Sequence, residues 1–462
     1  MAHLATRTPL GLALLSLVTL GLGCPADDSA EGGSGSETGA TMSGDGDGDP
    51  TTTGDGDGDP TTTGDGDGDG TTTGDGDGDP PPDPEGCVSA LDILIILDNS
   101  ASMGPIQAAL VNALPALLDP LDAAAVDWRI GVTTTDNGNP WCPAGITTPE
   151  AGKLVTGSCR SRLGDFVFNN GEIDATDIAC NDICALDDLG VEPTPTEFDP
   201  NPAVRPWIES IGGQANVADP LAALSCMVPM GINGCGFESQ LESAYLATIR
   251  AQDSNEAAYG FLREDAGLLV LIVSDEVDCS YNKDWSEIFS ADGNKTFWAD
   301  PNAAFPTSAV CWNAGVTCSG DPSDYDDCSA TDFDVNGNPG ATQNDAVLHA
   351  LVRYNGLFDG LEAEKQVLNA GASVSVSVIA GATPGGGVTY ADSPDPGFQT
   401  SFGIGPGCSG TSGANQPVEA IPPVRMREVA EQSGGSLGSV CQADLSADLG
   451  AALEPFVGTC GE

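Results

Sequence analysis

The sequence predicts an α/β fold: an open, mostly parallel sheet, doubly wound with helices on both faces, carrying disulfide-rich insertions and preceded by a disordered acidic linker. Three observations predict it. Apolar runs of strand length alternate with helical patterns from Cys87 onward, which argues for parallel strands joined by crossover helices. Fifteen cysteines, scattered without metal-site spacing, point to an oxidising compartment. A Gly, Asp, Thr and Pro repeat dominates Pro25 to Glu85, where almost no large apolar residue is present to build a core.

Residues 1–23 read as targeting rather than fold. "PLGLALLSLVTLGLGC", Pro9–Cys24, follows Arg7, is too short for a permanent membrane span, and ends in small residues before a cysteine. It resembles a bacterial lipoprotein signal, which implies lipidation of Cys24 and a secreted, membrane-anchored product. A cleaved secretory signal without lipid is the alternative. Residues 24–86 are the linker. "TTTGDGDGDP" begins at Thr51, returns at Thr61 with Gly70 in place of proline, and returns at Thr71. Glycine and like charge favour an expanded chain, in which about 60 residues span on the order of 45 Å. A stalk is the expected role. A weak calcium sponge is the sharper alternative, but this repeat lacks the apolar residues with which calcium-binding repeats stack.

Setting aside Cys24 leaves fourteen cysteines from Cys87 to Cys460, an even set. "CNDIC", Cys180–Cys184, comes nearest to a metal cluster, with no second cluster and almost no histidine. Disulfides are therefore expected, with their connectivity open. The folded domain is 87–462. Once the 18 acids and one arginine before Cys87 are set aside, 51 acids face 13 bases. Such a surface repels nucleic acid and anionic lipid and attracts divalent cations, so a membrane is expected only through the lipid anchor.

Within the domain, "DILIILD", Asp92–Asp98, reads as a strand buried on both faces. "PIQAALVNALPALLDPL", Pro105–Leu121, follows as a helix kinked at Pro115. "VDWRIGVTTTD", Val126–Asp136, is a second strand, and "FESQLESAYLATIRAQ", Phe237–Gln252, an amphipathic helix. A third strand starts at Gly267 and ends in acids, and a fourth is "SVSVSVIAG" from Ser373. The helix "VRMREVAEQSGG", a short strand "SLGSV" and a helix from Leu445 to Phe456 close the chain. Ligands in such sheets bind beyond the carboxyl ends of the strands.

Asp98, Ser100 and Ser102 fall at such an end. They match the DxSxS pattern of the von Willebrand factor A family, which the domain resembles also in "IVSDEVD" at Asp275, in "GINGCGFESQLESA", and in "VRMREVAEQSGGSL". The resemblance implies a metal-ion-dependent adhesion site. In it Ser100 and Ser102 bind Mg2+ or Mn2+ directly, Asp98 and Asp275 act largely through water, and an acidic group of a partner completes the octahedron. The competing reading makes the two serines helix caps and Asp98 a turn residue. Where the family places a threonine ligand, this chain has Gly231, Ile232 and Asn233, and Ile232 cannot coordinate. Asn233 or Glu238 would have to substitute.

Two insertions, about 137–230 and 280–343, account for the extra length and are expected to rim the site, held by disulfides. The second ends in "DFDVNGNPGATQ". Asp332, Asp334 and Asn336 with Gly337 fit the start of a calcium loop, but Gln343 stands where a bidentate glutamate is expected, and an Asx-rich turn explains the same residues. Catalysis is not expected. His349 follows the leader as the domain's lone histidine, in "AVLHALVRY" on an apolar helical face, and no G-x-S-x-G or H-E-x-x-H occurs. The expected function is thus an extracellular, lipid-anchored adhesion or ligand-binding protein whose ion grips an acidic partner. The alternative is a metal-free structural surface protein acting through its disulfide-rich loops. Acidic repeats in the stalk, Asp45–Asp79, could act as an internal mimic of that partner.

Overall fold

A computed structural model of the protein describes residues 88–142, 147–413 and 416–457. The signal and linker assignments, Cys24, Cys87 and Cys460 lie outside the described residues.

The core is a seven-stranded sheet. Its strands are β1 (Ala90–Leu97), β2 (Asp127–Thr134), β3 (Ile208–Ile211), β4 (Gln214–Ala215), β5 (Gly267–Val273), β6 (Val374–Ala380) and β7 (Leu437–Ser439). In space they run β7-β6-β5-β1-β2-β3-β4. Pairing is parallel from β7 to β2 and antiparallel at β3 and β4. Side-chain alternation explains why the central strands carry apolar residues at almost every position. Leu91, Ile93, Ile95 and Leu97 of β1 face one apolar cluster, while Leu94 and Ile96 face the other. Each fully buried side chain of this kind contributes roughly 1.5–3 kcal/mol over its exposed state.

The first face is covered by helix α1 (Gly104–Ala123), α2 (Pro220–Met227) and the closing helix α6 (Ser446–Val457). The opposite face is covered by α3 (Gln240–Gln252), α4 (Val352–Leu368) and α5 (Val424–Gln432). Pro115 and Pro120 both lie inside α1, and the helical span continues past them to Ala123.

Two differences from the sequence reading are structural. The segment assigned as a first insertion supplies the antiparallel edge of the main sheet: Arg129 of β2 pairs with Glu209 of β3 in the ladder. Their side chains form a buried ion pair at 2.7 Å, and Trp207 Nε1 donates to the same carboxylate at 2.9 Å. Four-residue strands after a long irregular stretch carry too little periodicity to be read beforehand. Secondly, His349 precedes the helix it was assigned to, because α4 starts at Val352.

Six disulfides join all twelve described cysteines: Cys142–Cys235, Cys159–Cys180, Cys184–Cys226, Cys279–Cys311, Cys318–Cys328 and Cys408–Cys441. Cys180 and Cys184 thus bond to different partners instead of sharing a metal. The second insertion packs in a further apolar cluster shared with the loop before α3 and with segments after the insertion, where Phe289 meets Phe237 and Tyr281 edge-on at 5.0 and 5.1 Å beside Cys279–Cys311. No helix among the described residues is long and apolar enough to cross a membrane.

Candidate metal centre at the carboxyl ends of the central strands

The register brings three strand ends level: Leu97 pairs with Val273 on one side and with Thr134 on the other. The next residues, Asp98, Ser274 and Thr135, therefore emerge together. The chain passes from β1 to β2 on one side and, after β4, returns to the other side of β1 as β5, so the strand order reverses at β1, the point where a crevice opens in an α/β sheet.

Asp98 is fully buried. Its Oδ1 accepts from the Ser100 amide at 2.7 Å and its Oδ2 from Ser274 Oγ at 2.6 Å. Burial pushes its carboxyl above the ordinary carboxylate range, and those hydrogen bonds oppose the rise. Ser100 and Ser102 stand with their hydroxyls 3.2 Å apart. Neither caps α1, whose start carries no side-chain cap bond. Gln107 on α1 acts as a suture: Nε2 donates to the carbonyls of Asp98 (3.0 Å) and Gly231 (2.7 Å), while Oε1 accepts from the amides of Met230 and Gly231.

The middle loop arrives differently from the family resemblance. Ile232 is wholly buried in the first apolar cluster, with its amide on the Asp165 carbonyl at 2.7 Å. Gly231 adopts φ +93°, where a Cβ would sit 2.5 Å from the same carbonyl, so the turn requires glycine. Asn233 is exposed, and no hydrogen bond ties its side chain to the acids. Glu238 is the residue of this loop that reaches them. It is 1% exposed, Oε2 accepts from Thr135 Oγ1, and Oε1 has no partner among the described residues. Burial, followed by the charges of Asp98, Asp136 and Glu276, raises its carboxyl well above the ordinary range.

Asp275 is 5% exposed, and its Oδ1 also lacks a partner. Burial and then Asp98 push its carboxyl up to about 8. Beside it, half-buried Glu276 turns Oε2 into a buried, unpartnered position, and burial followed by Asp275 and Asp98 raises it well above the ordinary range. The sequence reading brought forward Asp98, Ser100, Ser102, Asp275 and Glu238, which do meet here. It missed Thr135, Asp136, Ser274 and Glu276, although the acids at the ends of strands two and three were a usable signal.

Among the described residues no arginine, lysine or histidine pairs with Asp98, Glu238, Asp275 or Glu276. Burying several carboxylates without counter-charge costs several kcal/mol per ion. Carboxylate and hydroxyl oxygens converging in a crevice are the donor set of a hard divalent cation, and the unpartnered oxygens fit one. Two disulfides brace the surroundings. Cys235, bonded to Cys142, donates its amide to Asp136 Oδ2 at 3.3 Å, and Cys279, bonded to Cys311, donates its amide to the Glu238 carbonyl at 2.7 Å.

The other candidates lie elsewhere. Asp334 Oδ1 accepts from the amides of Asn336 and Asn338 at 2.8 and 2.9 Å, and Oδ2 from Asn338 Nδ2, the pattern of an Asx turn. The Asp332 carbonyl accepts from the amides of Gly340 and Ala341. Half-buried His349 lies 3.9 Å from Glu242, whose carboxylate is held by Arg353 at 2.9 and 3.0 Å. Burial, followed by Arg353 and Arg425, lowers the imidazole to about 4.

No family model matches the chain, and no curated protein matches it. Among solved structures, the pilus adhesin SpaC from Lactobacillus rhamnosus GG is similar at 10% identity and a TM-score of 0.23, over 63% of this chain and 24% of that one. The chain thus spans about a quarter of that chain's length, and a likeness this slight carries no argument about fold or function.

Proposed function

We propose that the protein is an extracytoplasmic binding protein whose domain grips an acidic group of a partner through a divalent cation, Mg2+ or Mn2+. The observation that carries the reading is the set of buried acceptors without donors, Asp275 Oδ1 and Glu238 Oε1, beside buried Asp98 at the crevice. Ser100 and Ser102 supply neutral hydroxyls, Asp98 and Asp275 hold the ion's outer shell or bind it directly, and Glu238 takes the place of the family's threonine. An ion bound here supplies an electrophilic position for a partner's carboxylate. The strand order, with helices on both faces, supports the doubly wound, von Willebrand factor A-like assignment. Six disulfides support an oxidising, extracytoplasmic setting. Lipidation at Cys24 would attach the domain to a bacterial membrane through its acidic stalk.

Calorimetric titration of Mg2+ and Mn2+ into the oxidised protein tests this, beside Asp98→Ala and Ser100→Ala. Saturable binding by the parent protein, lost in both variants, is expected. A parent protein that binds neither ion would sink the reading in favour of a metal-free structural protein acting through its disulfide-rich loops.

A further inference from the structure

Glu276 is the acid of the cluster set toward solvent: it is half-buried, whereas Asp98, Glu238 and Asp275 are at most 5% exposed. A rim glutamate ordinarily turns its carboxylate to water, where solvation is best. This one places Oε2 in a buried position without any donor. Its backbone is pinned there. The Glu276 amide donates to Ser274 Oγ at 3.1 Å, the Asp275 carbonyl accepts from the Ile421 amide at 2.8 Å, and Val277 is 4% exposed. The side chain is therefore tethered at the mouth of the crevice beside two other acids. The charges of Asp275 and Asp98 act on it more strongly than any other charge.

Such an arrangement makes chemical sense when a cation lies between the three. We infer that Glu276 is the chain's own occupant of the outward position of the bound cation, a displaceable gate that an acidic group of the partner must replace. This rests on the cation site proposed above. A partner carboxylate and the Glu276 carboxylate are the same ligand chemistry, so they compete for one position. The resting protein then keeps its ion without presenting it openly to every small acid in solution.

Mn2+ provides the test, because the relaxation of solvent protons counts exchangeable waters on the ion. In the full oxidised chain, Glu276→Gln is expected to weaken Mn2+ binding by about tenfold, the loss of one displaceable carboxylate, while carrying about one more exchangeable water on the ion. A blocked Gly-Asp-Gly peptide should then bind the Mn2+-loaded variant about tenfold more tightly than the parent, a gain shared by Glu276→Ala. An unchanged water count and unchanged peptide affinity in both variants would overturn the gate. So would a hundredfold loss of Mn2+ affinity, which would make Glu276 an obligatory ligand. Failure of the parent protein itself to bind Mn2+ would instead remove the cation site, and the gate with it.

Discussion

Ser274 Oγ donates to Asp98 Oδ2 at 2.6 Å, joining residues 176 positions apart across the crevice between β1 and β5. The same hydroxyl accepts the Glu276 amide at 3.1 Å. One serine thus sets the spacing of two acidic loops, and the acids crowd each other as a consequence. Crowded, buried carboxylates should make the protein's stability depend on pH and, through the proposed cation site, on divalent cations.

Asp275→Asn removes a buried carboxyl whose Oδ1 has no donor and which the ion-free folded state must hold mostly protonated near neutral pH, since burial and Asp98 push it up to about 8. In EDTA at pH 7.5 this variant should be more stable than the parent by on the order of 1–3 kcal/mol. In millimolar Mg2+ the order should reverse, because the parent gains from the ion and the variant does not. Thermal melts in both buffers check it, and a variant less stable in EDTA would count against charge crowding.

The pH dependence of the ion-free protein has a definite sign. The Asp275 carboxyl rises from 3.8 to about 8 on folding, so the folded state holds its proton more tightly than the unfolded chain. That contribution is fully present below pH 3.8 and is lost as pH climbs through about 8. Asp98, Glu238 and Glu276 shift in the same direction. Denaturant titrations in EDTA should therefore show lower stability at pH 8 than at pH 5, with Mg2+ restoring the loss; equal stability at the two pH values would contradict the cluster's electrostatics.

Far from the site, Asp92 is wholly buried at the opposite end of β1, with Oδ2 accepting from the Arg263 amide (2.7 Å) and Oδ1 from Arg263 Nε (2.8 Å). Arg263→Ala leaves that charge unpaired and should destabilise the domain by about 3–5 kcal/mol. Mg2+ affinity, measured where the variant is still folded, should stay at the parent's value.

The Cys142–Cys235 bridge spans 93 residues and holds the loop that leads to Glu238. Replacing both cysteines by serine should cost roughly 2–5 kcal/mol. Cation affinity should fall as the loop gains freedom, with the far-ultraviolet circular dichroism of the sheet unchanged. Retained affinity would show that the bridge does not brace the site.

Asp334→Ala should lower the melting temperature by the same amount in calcium and in EDTA, since both carboxylate oxygens already accept from Asn336 and Asn338. A loss confined to calcium would restore the calcium-loop reading.

Sequence alone determined the elements whose chemistry is local. β1, β5 and β6 were legible because unbroken apolar runs of strand length have few other uses, and α3 because its apolar residues recur at helical spacing. Asp98, Ser100, Ser102 and Asp275 were legible because polar oxygens directly after a buried strand stand out. Tertiary structure decided the rest. Register between β1, β2 and β5 brought Thr135 and Ser274 to the same level as Asp98, with Glu276 in the loop just beyond, a relation that no spacing along the chain encodes. Packing chose Glu238 over Asn233, since Ile232 is drawn into the apolar cluster and the loop must turn at Gly231 to allow it. The antiparallel edge strand β3 was hidden for a related reason: four residues form a strand there only because β2 offers an unpaired edge and Arg129 a partner for Glu209.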